Sequence, residues 1–157
     1  MNELEWLFTS ALQLRKSGQD FLNSFDFENE TTPPIAFLIN ISFACELFLK
    51  YIIEKEGGKK TGHDMKDIYN EISNESKFYI SSNICAILYS QKDEVFFRKG
   101  YTTTLEEHSN IFYEWRYIHQ FVDKLTSNDI NYGFLSNFSL VLEKRAYILR
   151  GQDQSPT

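Results

Sequence analysis

A chain of 157 residues with 22 acidic and 16 basic side chains carries a formal net charge of −6. Its 14 Phe, 9 Tyr and 2 Trp against only 7 Gly and 3 Pro exclude disorder, collagen-like repeats and low complexity. The length suits one domain with a real core, and the acidic balance excludes gripping long duplex DNA by bulk charge, which needs many Lys/Arg–phosphate contacts.

Apolar residues at three- and four-residue spacing predict a succession of helices. The first covers residues 3–24, with Leu4, Leu7, Phe8, Ala11, Leu12, Leu14, Phe21 and Leu22 on its apolar side. A polar stretch from Asp26 to Pro34 breaks it; its prolines cannot sit inside a helix but can lead one in. The second helix, 34–56, is apolar nearly all round, which predicts a place at the centre of the fold. Gly57-Gly58 ends it. After the polar loop from Lys59 to His63, Asp64 caps a third helix, with Asp67 near its positive end and Met65, Ile68, Tyr69 and Ile72 on its apolar face. Residues 74–76 are expected to form a break before a fourth helix over 77–90, which carries Ile80, Ile84, Ile87 and Leu88. In 91–103, Val95-Phe96-Phe97 fits a short strand or a helical turn, and Gly100 marks a break. A fifth helix covers 104–125 and is closed by Ser127-Asn128-Asp129. The last covers 132–150, with Phe134, Leu135, Phe138, Val141, Leu142 and Ile148, before a loose tail over 151–157. The expectation is one all-α domain over 1–150, an up-and-down helical bundle of five to six helices.

Cys45 and Cys85 form no CxxC pair, and both are expected to be structural free thiols. The opening Met1-Asn2-Glu3-Leu4-Glu5 has no basic stretch before an apolar run, so a secretory leader is not expected. The apolar run from Ile35 to Ile53 holds Asn40, Ser42, Glu46 and Lys50, and charged groups at bilayer depth cost about 2.5–3.5 kcal/mol each. A buried central helix, no membrane contact and a cytoplasmic protein are the expectations.

The fifth helix holds the most reactive combination. Ile111, Phe112, Trp115, Ile118 and Val122 form one stripe, and His108 and His119 fall on it. Arg116 flanks the stripe three residues before His119, so a permanent cation and a titratable imidazole share one surface. That pair suits phosphodiester chemistry: the Arg to neutralise charge building on the phosphate, the His to move a ribose hydroxyl proton. A salt-bridged Arg and a hydrogen-bonded core His fit the same spacing. In the second helix, Glu46 lies among apolar neighbours and needs a partner; Lys50, four residues on, is the local one and Arg116 the distant one. His63, between Gly62 and the capping Asp64, is placed to bond a backbone carbonyl. No HxH, HExxH or paired-Cys spacing occurs, nor a phosphate-binding loop or nucleophile elbow, so neither a metal nor a cofactor is expected.

Three segments taken together resemble the HEPN superfamily of small all-α domains. Phe43-Ala44-Cys45-Glu46-Leu47-Phe48-Leu49-Lys50 is similar to the family's second-helix pattern of small residue, Glu, apolar, Leu-Lys. Gly62-His63-Asp64-Met65 is similar to its Gly-His-Asp-Leu helix start, and Phe112-Tyr113-Glu114-Trp115-Arg116-Tyr117-Ile118-His119-Gln120 resembles the late helix where the family places an Arg-Tyr motif. The order and spacing of the segments fit across 35–125. The resemblance implies a bundle that pairs as a homodimer and, in active members, metal-independent RNA cleavage by an Arg and a His lining a cleft at the dimer interface. On that pattern Arg116 and His119 are catalytic and Glu46 orients Arg116, while His63, Lys50, Tyr117 and Asp64 support them. His119 follows Arg116 after two intervening residues, where the family separates the pair by about four to six, and His119-Gln120 stands where many relatives carry Tyr-Glu. The family also implies toxin–antitoxin or phage-defence roles, with an antitoxin or nucleotidyltransferase as partner, and includes non-catalytic modules that bind a protein or nucleotide.

Overall fold

A computed structural model describes residues 1–30, 34–59, 62–116 and 130–152. The protein is all-α: the described residues form seven helices and no strand. They are α1 (Glu3–Ser24), α2 (Ile35–Lys55), α3 (Met65–Glu71), α4 (Asn74–Ser90), α5 (Glu94–Lys99), α6 (Tyr101–Arg116) and α7 (Tyr132–Gln152).

Local chemistry sets most of these boundaries. The Asn2 side chain accepts the Glu5 N–H (2.8 Å) and caps α1, with Glu3 and Glu5 at the positive helix start. Asp64 caps α3 through the Asp67 N–H (3.0 Å), as expected. Gly57, at φ +84, turns the chain out of α2, and the Gly58 N–H closes on the Ile53 carbonyl (2.9 Å). Gly100, at φ +84 and ψ 163, makes the turn from α5 into α6, a conformation essentially confined to glycine.

α2 is the central element. Twelve of its residues are buried, from Phe37 to Ile53, and it packs against α1, α3, α6 and α7. By length and composition it could cross a membrane, yet 61% of its most apolar window is buried inside the protein. Gly18 lets α1 lie close against it: a Cβ there would meet Ile41 at 3.1 Å and Asn40 at 3.2 Å. Much of the aromatic content fills the core: Phe134 stacks with Phe138 and Phe96, while Phe8 meets Phe48, Tyr51 and Tyr147. Cys45 and Cys85 are free thiols, and burial pushes the Cys45 thiol well up, leaving it a small inert hydrophobe.

Four expectations are corrected. The helix count is seven among the described residues, not five to six, because Glu94–Lys99 forms a helix of its own. Val95-Phe96-Phe97 lies in α5, whose cap is Asp93, accepting the Phe96 N–H at 2.9 Å. Residues 74–76 open α4 instead of breaking it: the Ser73 side chain accepts the Ser76 N–H (3.1 Å), and Glu56 binds the Ser73 N–H (2.8 Å) and the hydroxyls of Ser73 and Ser76. α6 begins at Tyr101, and α7 runs through Gly151 and Gln152, the first two residues of the expected tail. The remainder of that tail, and the fifth helix beyond Arg116, lie outside the described residues.

Candidate functional site

The site grows from one buried carboxylate. Glu46 is 3% exposed on the central helix, and an ionised group in such a place is stable only with charged or hydrogen-bonding partners. Lys50, one turn along α2, donates from Nζ to Glu46 Oε1 at 2.9 Å. The second partner comes from a distant part of the chain. Gly62, at φ +101, bends the loop before α3, and His63 Nδ1–H donates to the same Oε1 at 2.7 Å. The His63 side chain is 71% exposed, so one buried oxygen links the helix core to an imidazole facing solvent. The backbone-carbonyl partner expected for His63 is replaced by this carboxylate.

α6 is clipped to the same loop. The first N–H groups of a helix have no partner within it. One of these on α3, the Lys66 N–H, donates to Ser109 Oγ of α6 at 3.0 Å, and the Ser109 hydroxyl faces Asp64 Oδ1 at 3.4 Å. Lys66 Nζ also pairs with Glu106 of α6 at 2.7 Å. Asp64 therefore caps α3 and, through Ser109, fixes α6 beside the His63 loop.

Of the residues singled out in sequence, Glu46, Lys50, His63 and Asp64 thus come together around the start of α3. Arg116 is the last described residue of α6, and its side chain, with Tyr117 and His119, lies outside the described residues. Ser109 and Glu106 carried no sequence signal beyond a serine inside a helix, since nothing in the local pattern says that an orphan N–H of α3 stands opposite.

His108, on the same predicted stripe as His119, is spent on structure. It is 2% exposed; Nδ1–H donates to the Thr104 carbonyl (2.8 Å) and Nε2 accepts the Asn131 N–H (2.9 Å). This fixes the neutral tautomer, and burial holds the imidazole below its ordinary titration range. A cavity of about 410 Å³ adjoins it; in its lining Asp93 is engaged with Phe96 and Asn131, Lys99 with Glu107 and Thr104 with Gly100, while the Tyr132 hydroxyl is buried with no hydrogen-bond partner among the described residues. Among the described residues no group of three or more His, Cys, Asp or Glu is arranged to hold a metal ion. Comparison with family models, with curated proteins and with solved structures finds no match to this chain.

Proposed function

We propose that the chain is a HEPN-type helical domain, a cytoplasmic homodimer that cleaves RNA without a metal ion as a toxin or phage-defence component. The observation that carries this reading is the 2.7 Å contact between Glu46 and His63, which joins two of the three family-like segments around one buried carboxylate. The third segment begins on α6, which Ser109 clips to the His63 loop. Arg116 follows Ser109 by seven residues, a separation that returns a helix to nearly the same angle.

In this reading Arg116 neutralises the charge that builds on the phosphate oxygens, and Glu46 orients it. His119 takes the proton of the ribose 2′-hydroxyl as that oxygen attacks phosphorus. The bond from phosphorus to the 5′ oxygen breaks, and that oxygen leaves protonated, with a 2′,3′-cyclic phosphate on the other fragment. Pairing of two chains brings two imidazoles to one cleft, one as base and one as acid.

Purified protein is expected to cleave single-stranded RNA in excess chelator, and Arg116→Ala and His119→Ala to lose about 10²-fold or more of that rate. Wild-type protein that leaves structured and unstructured RNA intact, or variants that cleave equally, would overturn it. The short Arg116–His119 spacing favours a second reading, a non-catalytic module that binds a partner protein or nucleotide. Intact RNA together with retention of the adjacent gene's product in a pull-down supports that reading. A monomer at micromolar concentration removes the shared cleft from both.

A further inference from the structure

The corner between α4 and α5 presents a second surface, on different residues from the Glu46 site. Lys92 sits there at φ +56, the left-handed region, and the Asp93 N–H closes on the Leu88 carbonyl (3.1 Å). Asp93 then caps α5 and binds the Asn131 amide at 2.8 Å, which makes the corner rigid. The turn sets Tyr89, at the end of α4, edge-to-face with Phe97 of α5, their ring centres 5.7 Å apart. Tyr89 is 75% exposed and Phe97 47%, so the pair leaves a large aromatic surface unburied. The two rings border an open groove of about 630 Å³ with Lys92, Arg98 and Glu94.

Lys92 and Arg98 are exposed and make no ion pair among the described residues, whereas neighbouring Lys99 is held by Glu107 (2.8 Å). Two uncommitted cations beside two exposed rings, on a chain of net charge −6, match a ligand that offers flat π-faces and negative charges together. Single-stranded nucleic acid has that composition: its bases stack on aromatic side chains and its phosphates seat on Lys and Arg. A duplex hides its base faces, and an acidic peptide has none.

We propose that the Tyr89–Phe97 corner binds single-stranded nucleic acid, a base stacking on the rings while phosphates rest on Lys92 and Arg98. The proposal is independent of cleavage and is read by binding alone. The full chain is titrated against a fluorescein-labelled oligodeoxythymidine of about twelve nucleotides, which lacks the 2′-hydroxyl that cleavage needs, read by anisotropy at low salt. Tyr89→Ala and Phe97→Ala are each expected to weaken binding about five- to a hundredfold, the range measured for losing one stacked base. Phe78→Ala, at an equally exposed aromatic eleven residues earlier on α4 (89 − 78), is expected to bind as wild type. Two phosphate contacts give a slope of log affinity against log salt of about −1.4, which Lys92→Gln with Arg98→Gln flattens. Glu94→Gln, which removes the one carboxylate among the described residues of the groove lining, is expected to tighten binding a fewfold.

Circular dichroism verifies that each variant folds, and the exposed charge substitutions provide a test that does not touch packing. No binding by wild type, unchanged affinity in the corner variants, or an equal loss in Phe78→Ala overturns the proposal. So does equal binding of a blunt RNA duplex, or displacement by polyglutamate at matched charge, because either means that charge alone is recognised. Corner-dependent binding by a wild type that leaves RNA uncut keeps this site and removes the cleavage reading, so the two failures are told apart.

Discussion

Replacing His108 by phenylalanine isolates what a buried, neutral imidazole contributes. The ring packs 5.2 Å from Phe134, and a phenyl group of similar size keeps that contact. What disappears is the Nδ1–H bond to Thr104 and the acceptor of the Asn131 N–H, at the start of α7. A partly buried N–H left without an acceptor costs about 1–3 kcal/mol. For a chain of this size each kcal/mol moves Tm by about 2–4 °C. The pH dependence is the sharper signature. Burial is the largest influence on His108 and disfavours the cation; Lys99 acts the same way, against smaller opposing effects of the Thr104 carbonyl and Glu107. An unfolded imidazole binds its proton near about pH 6.5 while the folded one resists, so between those points the unfolded chain holds more protons. The His108 contribution is therefore present above the unfolded value and is lost as pH falls through it towards the lowered folded value. Phenylalanine has no such term. Urea unfolding followed by circular dichroism at a series of pH values is expected to find wild type more stable at pH 7, with the gap narrowing as the pH is lowered to 5.5. A gap that stays constant with pH would refute the assignment of a neutral, structurally committed His108.

Two further outcomes follow from the geometry. Glu46→Ala leaves the largely buried Lys50 ammonium and the His63 ring without their shared oxygen; stability is expected to fall by about 3 kcal/mol, and Lys50→Met in the same chain to recover part of it, measured as a double-mutant cycle. Gly100→Ala forces a side chain into φ +84, ψ 163 and is expected to cost about 1–3 kcal/mol by denaturant titration, although nothing lies within 4 Å of the new Cβ; a neutral result would mean that the α5–α6 turn relaxes freely.

Features written in short stretches of chain were legible in the sequence. α1 has the expected bounds, α2 falls within one residue of them at each end, and the Asp64 cap forms as its spacing with Asp67 requires. The Glu46–Lys50 pair is likewise set by helical period alone. The failures occur where a boundary depends on a group far away in sequence. Asn74-Glu75-Ser76 has the composition of a break, and its helical state rests on Glu56 and on Arg145 of α7, which donates to Ser76 Oγ at 2.9 Å. His63 gave no local sign of its carboxylate partner 17 residues back, nor Ser109 of the α3 amide 43 residues back.

The same contrast explains how α5 holds its place. It has six residues and buries only Phe96. Burying one such side chain yields about 2–3 kcal/mol, whereas fixing the backbone of six residues costs about 6–12 kcal/mol, so apolar packing alone does not order it. Polar groups make up the difference, through two side chains. Asp93 caps α5 with one oxygen and holds the Asn131 amide with the other. Asn131 in turn caps α7 through the Phe134 N–H at 2.8 Å and donates its own N–H to His108 of α6. The starts of α5 and α7 are thus fastened to the middle of α6 by an unbroken line of hydrogen bonds through Asp93, Asn131 and His108. The Tyr89–Phe97 corner is built on that line, and its geometry accordingly depends on an imidazole that remains neutral.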